Sequence, residues 1–177
     1  MRVIGGKIGG IRLNPPSNLP VRPTTDIAKE ALFNILTHQI DWQDSTCLDL
    51  FCGTGNISFE LASRGVLHVD SIDIHAKCLF YVKDIARQYD LNIATRKADV
   101  FKFISSCKNK YDFIFADPPY DVAQLPLLPQ MILDNGLLNQ GGILVVEHPS
   151  MRKMVDHELF VETRKYGYSS FSFYQNK

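Results

Sequence analysis

Cys47-Leu48-Asp49-Leu50-Phe51-Cys52-Gly53-Thr54-Gly55-Asn56 is the stretch that decides how this chain folds. It reads as a short apolar strand, a glycine-rich turn and a helix from about Asn56 to Arg64 that Gly65 ends. Glycines at 53 and 55 let the backbone turn tightly and come close to a bound ligand. The helix aims its first N–H groups at that ligand. A dinucleotide fingerprint needs glycine three residues past Gly55, and that position holds Ser58. The turn therefore suits a nucleoside-type ligand better than a pyrophosphate.

Outward from this turn, apolar runs alternate with helical patterns. Strands are expected at 46–50, 69–73, 93–97, 111–116 and 143–147, with helices at about 56–64, 75–89, 100–107 and 124–134. Such alternation implies α/β architecture, a parallel sheet covered on both faces. A first helix starts near Thr25-Asp26, with Ile27, Ala31 and Ile35 on one apolar stripe and Ala28, Leu32 and Leu36 beside it. Phe160 to Tyr174, with turn chemistry at Gly167, fits two antiparallel strands. Arg2 to Ile4 and Ile11 to Leu13 fit a small N-terminal β-hairpin, and Asn14 to Pro23, with four prolines, an extended connector. Residues 1–23 are thus expected to form a hairpin and connector, and 24–177 a single compact unit, the size of one domain.

Acidic residues end three of the strands. Asp73 closes Val69-Asp70-Ser71-Ile72-Asp73, about twenty residues after the glycine turn, where an acid commonly accepts bonds from ribose hydroxyls. It could equally cap the helix that starts near His75. Asp99 could meet an adenine amino group or cap the helix from Val100. Asp117-Pro118-Pro119-Tyr120 follows the apolar run Tyr111 to Ala116, a buried strand that stops abruptly. It would bring a carboxylate, a stiff backbone and an aromatic ring to the sheet edge where open α/β sheets bind ligands. The carboxylate and a backbone carbonyl can accept both hydrogens of an exocyclic amine while the tyrosine stacks on the ring. The plain alternative is a strand followed by a proline turn.

Composition narrows the classes. The four cysteines (47, 52, 78 and 107) form no C-x-x-C pair, have no histidines at metal spacing, and read as buried thiols in a reducing cytoplasm. No metal site is expected. No cysteine accompanies the two prolines, which argues against nucleophilic attack on a pyrimidine ring. No apolar run is long enough to cross a membrane, and no signal peptide is read at the amino end. Lys plus Arg and Asp plus Glu both number 19, yet residues 1–30 hold five basic side chains against two acidic, a local +3. A basic amino end on a slightly acidic body would put phosphate contacts at that end. The five histidines are scattered. Glu147-His148-Pro149, at the end of the fifth strand, is a weaker candidate for the pocket edge.

The D-L-F-C-G-T-G turn, the acids after strands two and three, and D-P-P-Y after strand four resemble a class I S-adenosylmethionine-dependent methyltransferase. Arg2-Val3-Ile4-Gly5-Gly6-Lys7, then Arg22-Pro23-Thr24-Thr25-Asp26 and a helix with Glu30-Ala31-Leu32-Phe33-Asn34, is similar to the RsmD family, nearly end to end. That resemblance implies a Rossmann-like seven-stranded sheet of order 3-2-1-4-5-7-6 with the last strand antiparallel. It implies methylation of a guanine N2 amine in 16S ribosomal RNA, with S-adenosyl-L-methionine as cofactor. Cofactor contacts fall on Thr24, Asp49, Phe51, Gly53, Thr54, Gly55, Asn56, Asp73, Ile74, Asp99 and Val100. The chemistry falls on Asp117, Pro118, Pro119 and Tyr120, and RNA contacts on Arg2, Lys7, Arg12 and Arg22. A monomer acting on ribosomal RNA or the small subunit is expected. The rivals are a DNA adenine-N6 methyltransferase and a non-catalytic RNA-binding assembly factor.

Overall fold

A computed structural model describes residues 1–21 and 24–177. Its centre is β1 (Thr46–Leu50), paired in parallel with β2 (His68–Asp73) on one side and β4 (Tyr111–Ala116) on the other. With β3 (Ile93–Lys97), β5 (Leu138–Pro149), β6 (Phe160–Tyr166) and β7 (Ser169–Gln175), the sheet runs β3-β2-β1-β4-β5-β7-β6. Strand β7 is antiparallel to both neighbours. This is the methyltransferase order that the motifs imply. The order reverses between β1 and β4, whose pairing runs from Cys47↔Phe113 to Leu50↔Ala116.

Period-two alternation splits the core. Cys47, Phe113, Phe115 and Val145 face α1 (Asp26–Leu36), α2 (Asn56–Ser63) and α3 (Ala76–Gln88). Leu48, Leu50, Ile114 and Leu144 face α4 (Val100–Ser106) and α5 (Leu128–Asp134). Three details differ from the sequence reading, the first being that the strand expected at 143–147 spans Leu138–Pro149. Helix α1 buries Ala28, Lys29, Leu32, Phe33 and Leu36 and leaves Ile27 81% exposed, because the large Leu32 and Phe33 set its rotation. The expected helix over 124–134 divides into a 3-10 turn, Leu125–Leu127, and α5. Pro126 and Pro129 have no N–H to continue one ladder.

The N-terminal hairpin consists of one antiparallel bridge, Arg2↔Arg12, flanked by the bonds Val3 N to Ile11 O (3.0 Å) and Leu13 N to Met1 O (2.8 Å). Its side chains Val3, Ile8 and Leu13 are buried in the same cluster as α1 and α2. The tip caps α2: Lys7 N donates to Ser63 O at 2.7 Å, and Ser63 Oγ donates to Gly5 O at 2.6 Å. Gly6 has φ +78°, and a Cβ there would lie 1.9 Å from Ser63 O, so only glycine fits.

Glu60, on α2, ties this extension down. Its fully buried carboxylate accepts Ile4 N (2.8 Å), Gly5 N (2.9 Å) and Arg64 Nε (2.9 Å), and lies 3.3 Å from Lys29 Nζ. Lys29 also donates to Arg2 O (2.5 Å) and Asn56 Oδ1 (2.8 Å). Burial pulls the Lys29 pKa down, and Glu60 opposes that shift. Lys29 is therefore a structural cation and leaves the basic surface at the amino end one charge poorer than its sequence suggests.

Glu60→Ala would leave the Lys29 charge and two backbone N–H groups without their acceptor. Removing one partner of a buried pair costs about 3–5 kcal/mol. The urea midpoint should fall accordingly with an unchanged slope, and a loss below about 1 kcal/mol would show that this hub does not hold the extension.

Candidate active site

The glycine turn leaves β1 by a run of left-handed residues. Phe51 has φ +59°, Gly53 +54° and Gly55 +86°. A bulky residue at positive φ is strained by about 1–3 kcal/mol and persists only where its surroundings hold it. Here Phe51 meets Phe101 edge-on at 5.9 Å. The two glycines do different work. Gly53 lies on the wall of a cavity, and a Cβ there would come 3.1 Å from Val21. Gly55 is set back, because the space of its missing Cβ is filled by Phe59 Cε2 and Val82 Cγ2, each 2.9 Å away. Helix packing, more than ligand approach, requires glycine at 55.

Three of the anticipated acids surround this turn. Asp73 accepts Gly53 N through Oδ2 (2.9 Å) and His75 N through Oδ1 (2.9 Å), so it holds the glycine turn and the residue before α3, which has no side-chain cap, while also lining the cavity. Asp99 caps α4 by accepting Lys102 N at 3.1 Å and lines the same cavity. Asp49 is 1% exposed and accepts Ser58 Oγ at 2.6 Å, with Ser58 and Ser71 hydroxyls also 2.6 Å apart. Burial lifts its pKa to about 7; the Ser58 bonds oppose this and the Asp73 charge adds to it. Cys52, also on the wall, has its thiol pKa pushed well up by burial, which keeps it protonated and unsuited to nucleophilic attack.

The opposite wall comes from the end of β4. Asp117 N donates to Leu50 O at 3.3 Å, which sets this residue at the mouth of β1. Pro118 is buried, Pro119 exposed and Tyr120 half-buried. The Tyr120 hydroxyl lies 2.6 Å from Ser169 Oγ, and Arg152 Nη1 donates to Tyr120 O (2.9 Å) and Val122 O (2.8 Å). Asp117, Pro118, Pro119 and Tyr120 line one cavity of about 820 Å³ together with Thr24, Asp49, Phe51, Gly53, Thr54, Asn56, Asp73, Ile74, Asp99 and Val100.

Several wall residues carry no sequence signal for this role. Leu19, Pro20 and Val21 of the connector close one side, and Phe101 and Val122 contribute apolar surface. Arg152 and Ser169, which fix the D-P-P-Y loop, lie far along the chain, the one in the turn after β5 and the other at the first position of β7, without motif character. Glu147 and His148 are buried and do not line the cavity. Glu147 accepts the Thr24 hydroxyl at 2.6 Å, and His148 Nε2 bonds Ser172 Oγ at 2.7 Å. Asn56 spends its side chain on Lys29 and on Thr24 O (3.1 Å). Arg2, Lys7 and Arg12 lie off the cavity wall; Lys7 Nζ donates to Asp90 O at 3.0 Å and Arg12 is exposed. Arg22 lies outside the described residues. Among the described residues, no group of His, Cys, Asp and Glu could hold a metal ion, and no helix is long and apolar enough to cross a membrane.

A family profile described as Conserved hypothetical protein 95 matches residues 1–175. Ribosomal RNA small subunit methyltransferase D of Escherichia coli K12 is 30% identical over 83% of this chain and 74% of its own length. The protein of the same name from Buchnera aphidicola subsp. Baizongia pistaciae is 28% identical over 83% and 75%. A hypothetical protein of Thermus thermophilus superposes with a TM-score of 0.85 at 26% identity, covering 99% of each chain. The chain belongs to this family, the RsmD family that its motifs resemble.

The raised Asp49 pKa has a measurable sign. Between about pH 4 and 7 the folded protein keeps a proton that the unfolded chain has released, so stability from this group falls as pH rises through that window and is level above it. The slope approaches about 1.4 kcal/mol per pH unit at most. Asp49→Asn should remove this slope and be the more stable form above about pH 7. Denaturation at about pH 4.5 and about pH 7.5, near the two ends of the window, checks it. A wild-type-minus-variant difference equal at both would return Asp49 to ordinary behaviour.

Proposed function

We propose that this member of the RsmD family uses S-adenosylmethionine to methylate the exocyclic N2 amine of a guanine in small-subunit ribosomal RNA. One observation carries the reading: the glycine turn after β1 and Asp117-Pro118-Pro119-Tyr120 after β4 line a single cavity, although more than sixty residues of chain lie between them. The relatives' names point to the small-subunit RNA as substrate. The D-P-P-Y chemistry points to an amine on a planar ring.

The wall residues suit this cofactor. At about 820 Å³ the cavity falls in the range of small-molecule sites. Asp73 and Asp99 present oxygens that can accept hydroxyl and amino hydrogens, and Phe51, Ile74, Val100 and Phe101 offer apolar surface for a purine. The start of α2, with Gly55 as its N-cap and no side-chain cap, leaves first-turn N–H groups for a carboxylate. Asp49 lies beneath the turn, where its carboxylate favours a cationic ligand. When bound, S-adenosylmethionine supplies a methyl group already activated on a sulfonium.

The protein's own task is then alignment. A guanine N2 lone pair is delocalised into the ring and is a poor nucleophile. In the proposed reaction Asp117 and the Pro118 carbonyl accept the two amine hydrogens. This localises the lone pair on nitrogen and stabilises the positive charge that grows there. Pro118 and Pro119 restrict the backbone, so the carbonyl stays aimed. Arg152 and Ser169 hold the loop from outside, and Tyr120 offers its ring to the face of the base. The displaced proton passes to Asp117 or to water after transfer. Exposed Arg12 and Lys7, with Arg22, are assigned to RNA phosphates.

Asp117→Ala should slow methyl transfer by roughly 10²–10⁴-fold while cofactor affinity, read by calorimetry, stays near wild type. Small subunits from cells lacking the protein provide the substrate, and mass mapping of methylated nucleosides identifies the product. Incorporation into DNA at adenine, or N2-methylguanosine formed by the variant at the wild-type rate, would refute the assignment. Cofactor failing to bind the wild-type protein would favour a non-catalytic assembly role instead.

A further inference from the structure

The turns that hold the D-P-P-Y loop also carry the two barest large apolar side chains of the described residues. Met151 is 96% exposed and Tyr168 is 94% exposed. A single exposed apolar side chain is ordinary. These two occupy turns fastened to each other. Ser150 N donates to Tyr168 O at 2.8 Å, Ser150 Oγ donates to Gly167 O at 3.2 Å, and the Ser150 and Ser170 hydroxyls lie 2.9 Å apart. Gly167-Tyr168 is a two-residue hairpin turn between the paired Tyr166 and Ser169, with Gly167 at φ +65°. Tyr168 is thus presented on a fixed turn.

The same turns reach the base side of the cavity. Ser169, next to Tyr168, meets the Tyr120 hydroxyl at 2.6 Å, and Arg152, next to Met151, donates to the carbonyls of Tyr120 and Val122. The turns that carry Met151 and Tyr168 are therefore fixed to the Tyr120 loop, on the side of the cavity assigned to the base. Lys153 and Lys165, two and three residues from Met151 and Tyr168 in sequence, are exposed and supply positive charge for a phosphate backbone.

We infer that Met151 and Tyr168 form a ledge on which the RNA nucleotide beside the methylated base stacks, with Lys153 and Lys165 at its phosphates. This rests on the function proposed above and names the part of the RNA that the wall of the cavity cannot reach. Rotating a base into the cavity unstacks its neighbour as well. A ring and a polarisable thioether at the exit cover that neighbour's face and recover part of the lost stacking, whatever the base.

The test compares wild type, Tyr168→Ala, Tyr168→Phe and Met151→Ala on small ribosomal subunits from cells lacking the protein. Tyr168→Ala should lower kcat/KM for the subunit roughly tenfold to a hundredfold, from the usual worth of base–aromatic stacking. Cofactor affinity by calorimetry should be unchanged, Tyr168→Phe should stay within about twofold of wild type, and Met151→Ala should fall between. Lys153→Ala with Lys165→Ala should flatten the salt dependence of subunit binding. The ledge is overturned if Tyr168→Ala keeps wild-type kcat/KM, or loses cofactor affinity in proportion, which would mark a folding role. It is equally overturned if the wild-type protein sediments as a dimer that Tyr168→Ala dissolves with no loss of kcat/KM. A wild-type protein that methylates no subunit RNA overturns the proposed function and the ledge with it, whereas active wild type with an indifferent Tyr168→Ala overturns the ledge alone.

Discussion

Parallel pairing of β1 with β4 is the constraint on which the rest of the site depends. Neither strand carries a complete site. β1 ends in a strained turn whose glycines and Phe51 have no function in the strand itself, and β4 ends in two prolines that cannot extend a ladder. Pairing puts both ends at one edge, and the bond from Asp117 N to Leu50 O fixes their level. Because β2 and β5 continue outward from this pair in opposite directions, the helices after β1 and β4 lie on opposite faces and leave a crevice between them. The cavity is therefore a property of the strand order. A one-residue slip of β4 would move Asp117 and also exchange the two core faces, so register and site are specified by the same apolar alternation.

The N-terminal extension is held by a different kind of force. Its three buried apolar side chains are few, and the polar hub around Glu60 supplies the direction that apolar contact lacks. From Arg2 O the hydrogen bonds run through Lys29 to Asn56, from Asn56 to Thr24 O, and from the Thr24 hydroxyl to Glu147. Asn56 and Thr24 stand on the cavity wall. The hairpin, the start of α2 and the far end of β5 thus share one buried network, and each member is placed by the others. Such networks rigidify only when every member is satisfied. This explains why a lysine stays in the core of α1, where an apolar residue would be easier to bury.

Much of this was legible in the residues because local rules and the fold agree. The seven strands follow from apolar alternation and turn chemistry, and the sheet order from the family resemblance of the motifs. The residues alone leave Asp73 and Asp99 between capping and ligand roles; the geometry puts both on the wall, makes Asp99 the cap of α4, and has Asp73 hold the glycine turn and His75 N instead of capping α3. What stays hidden is long-range. Lys29 reads as a surface cation because only tertiary packing reveals Glu60 beneath it, fully buried. Leu19 to Val21 read as a spacer because nothing local says that an extended connector will fold against the glycine turn. Arg152, in the turn after β5, and Ser169, at the start of β7, have no motif character, and their use depends on β7 returning beside β5. The rotation of α1 escapes the pattern because its two candidate stripes differ by side-chain size more than by polarity.

For the RNA-modifying function proposed, zero net charge follows from how charge is partitioned. Five acidic side chains, Asp49, Asp73, Asp99, Asp117 and Asp121, line one cavity, and such a concentration repels phosphate over roughly a Debye length of 8–10 Å. In the proposed function this keeps the RNA backbone at the rim while a neutral base, whose edge offers N–H donors, is admitted. On that proposal, basic groups are needed only where the backbone would pass, at the amino end and beside the β6–β7 turn. An overall positive charge would speed encounter but add nothing to this discrimination. The raised pKa of Asp49 moderates the same arrangement: near neutral pH the cavity carries less than its full complement of negative charge. On the proposed function, acid inside and base outside is one design, in which the cavity would select a cation and a neutral amine and the rim alone would answer to phosphate.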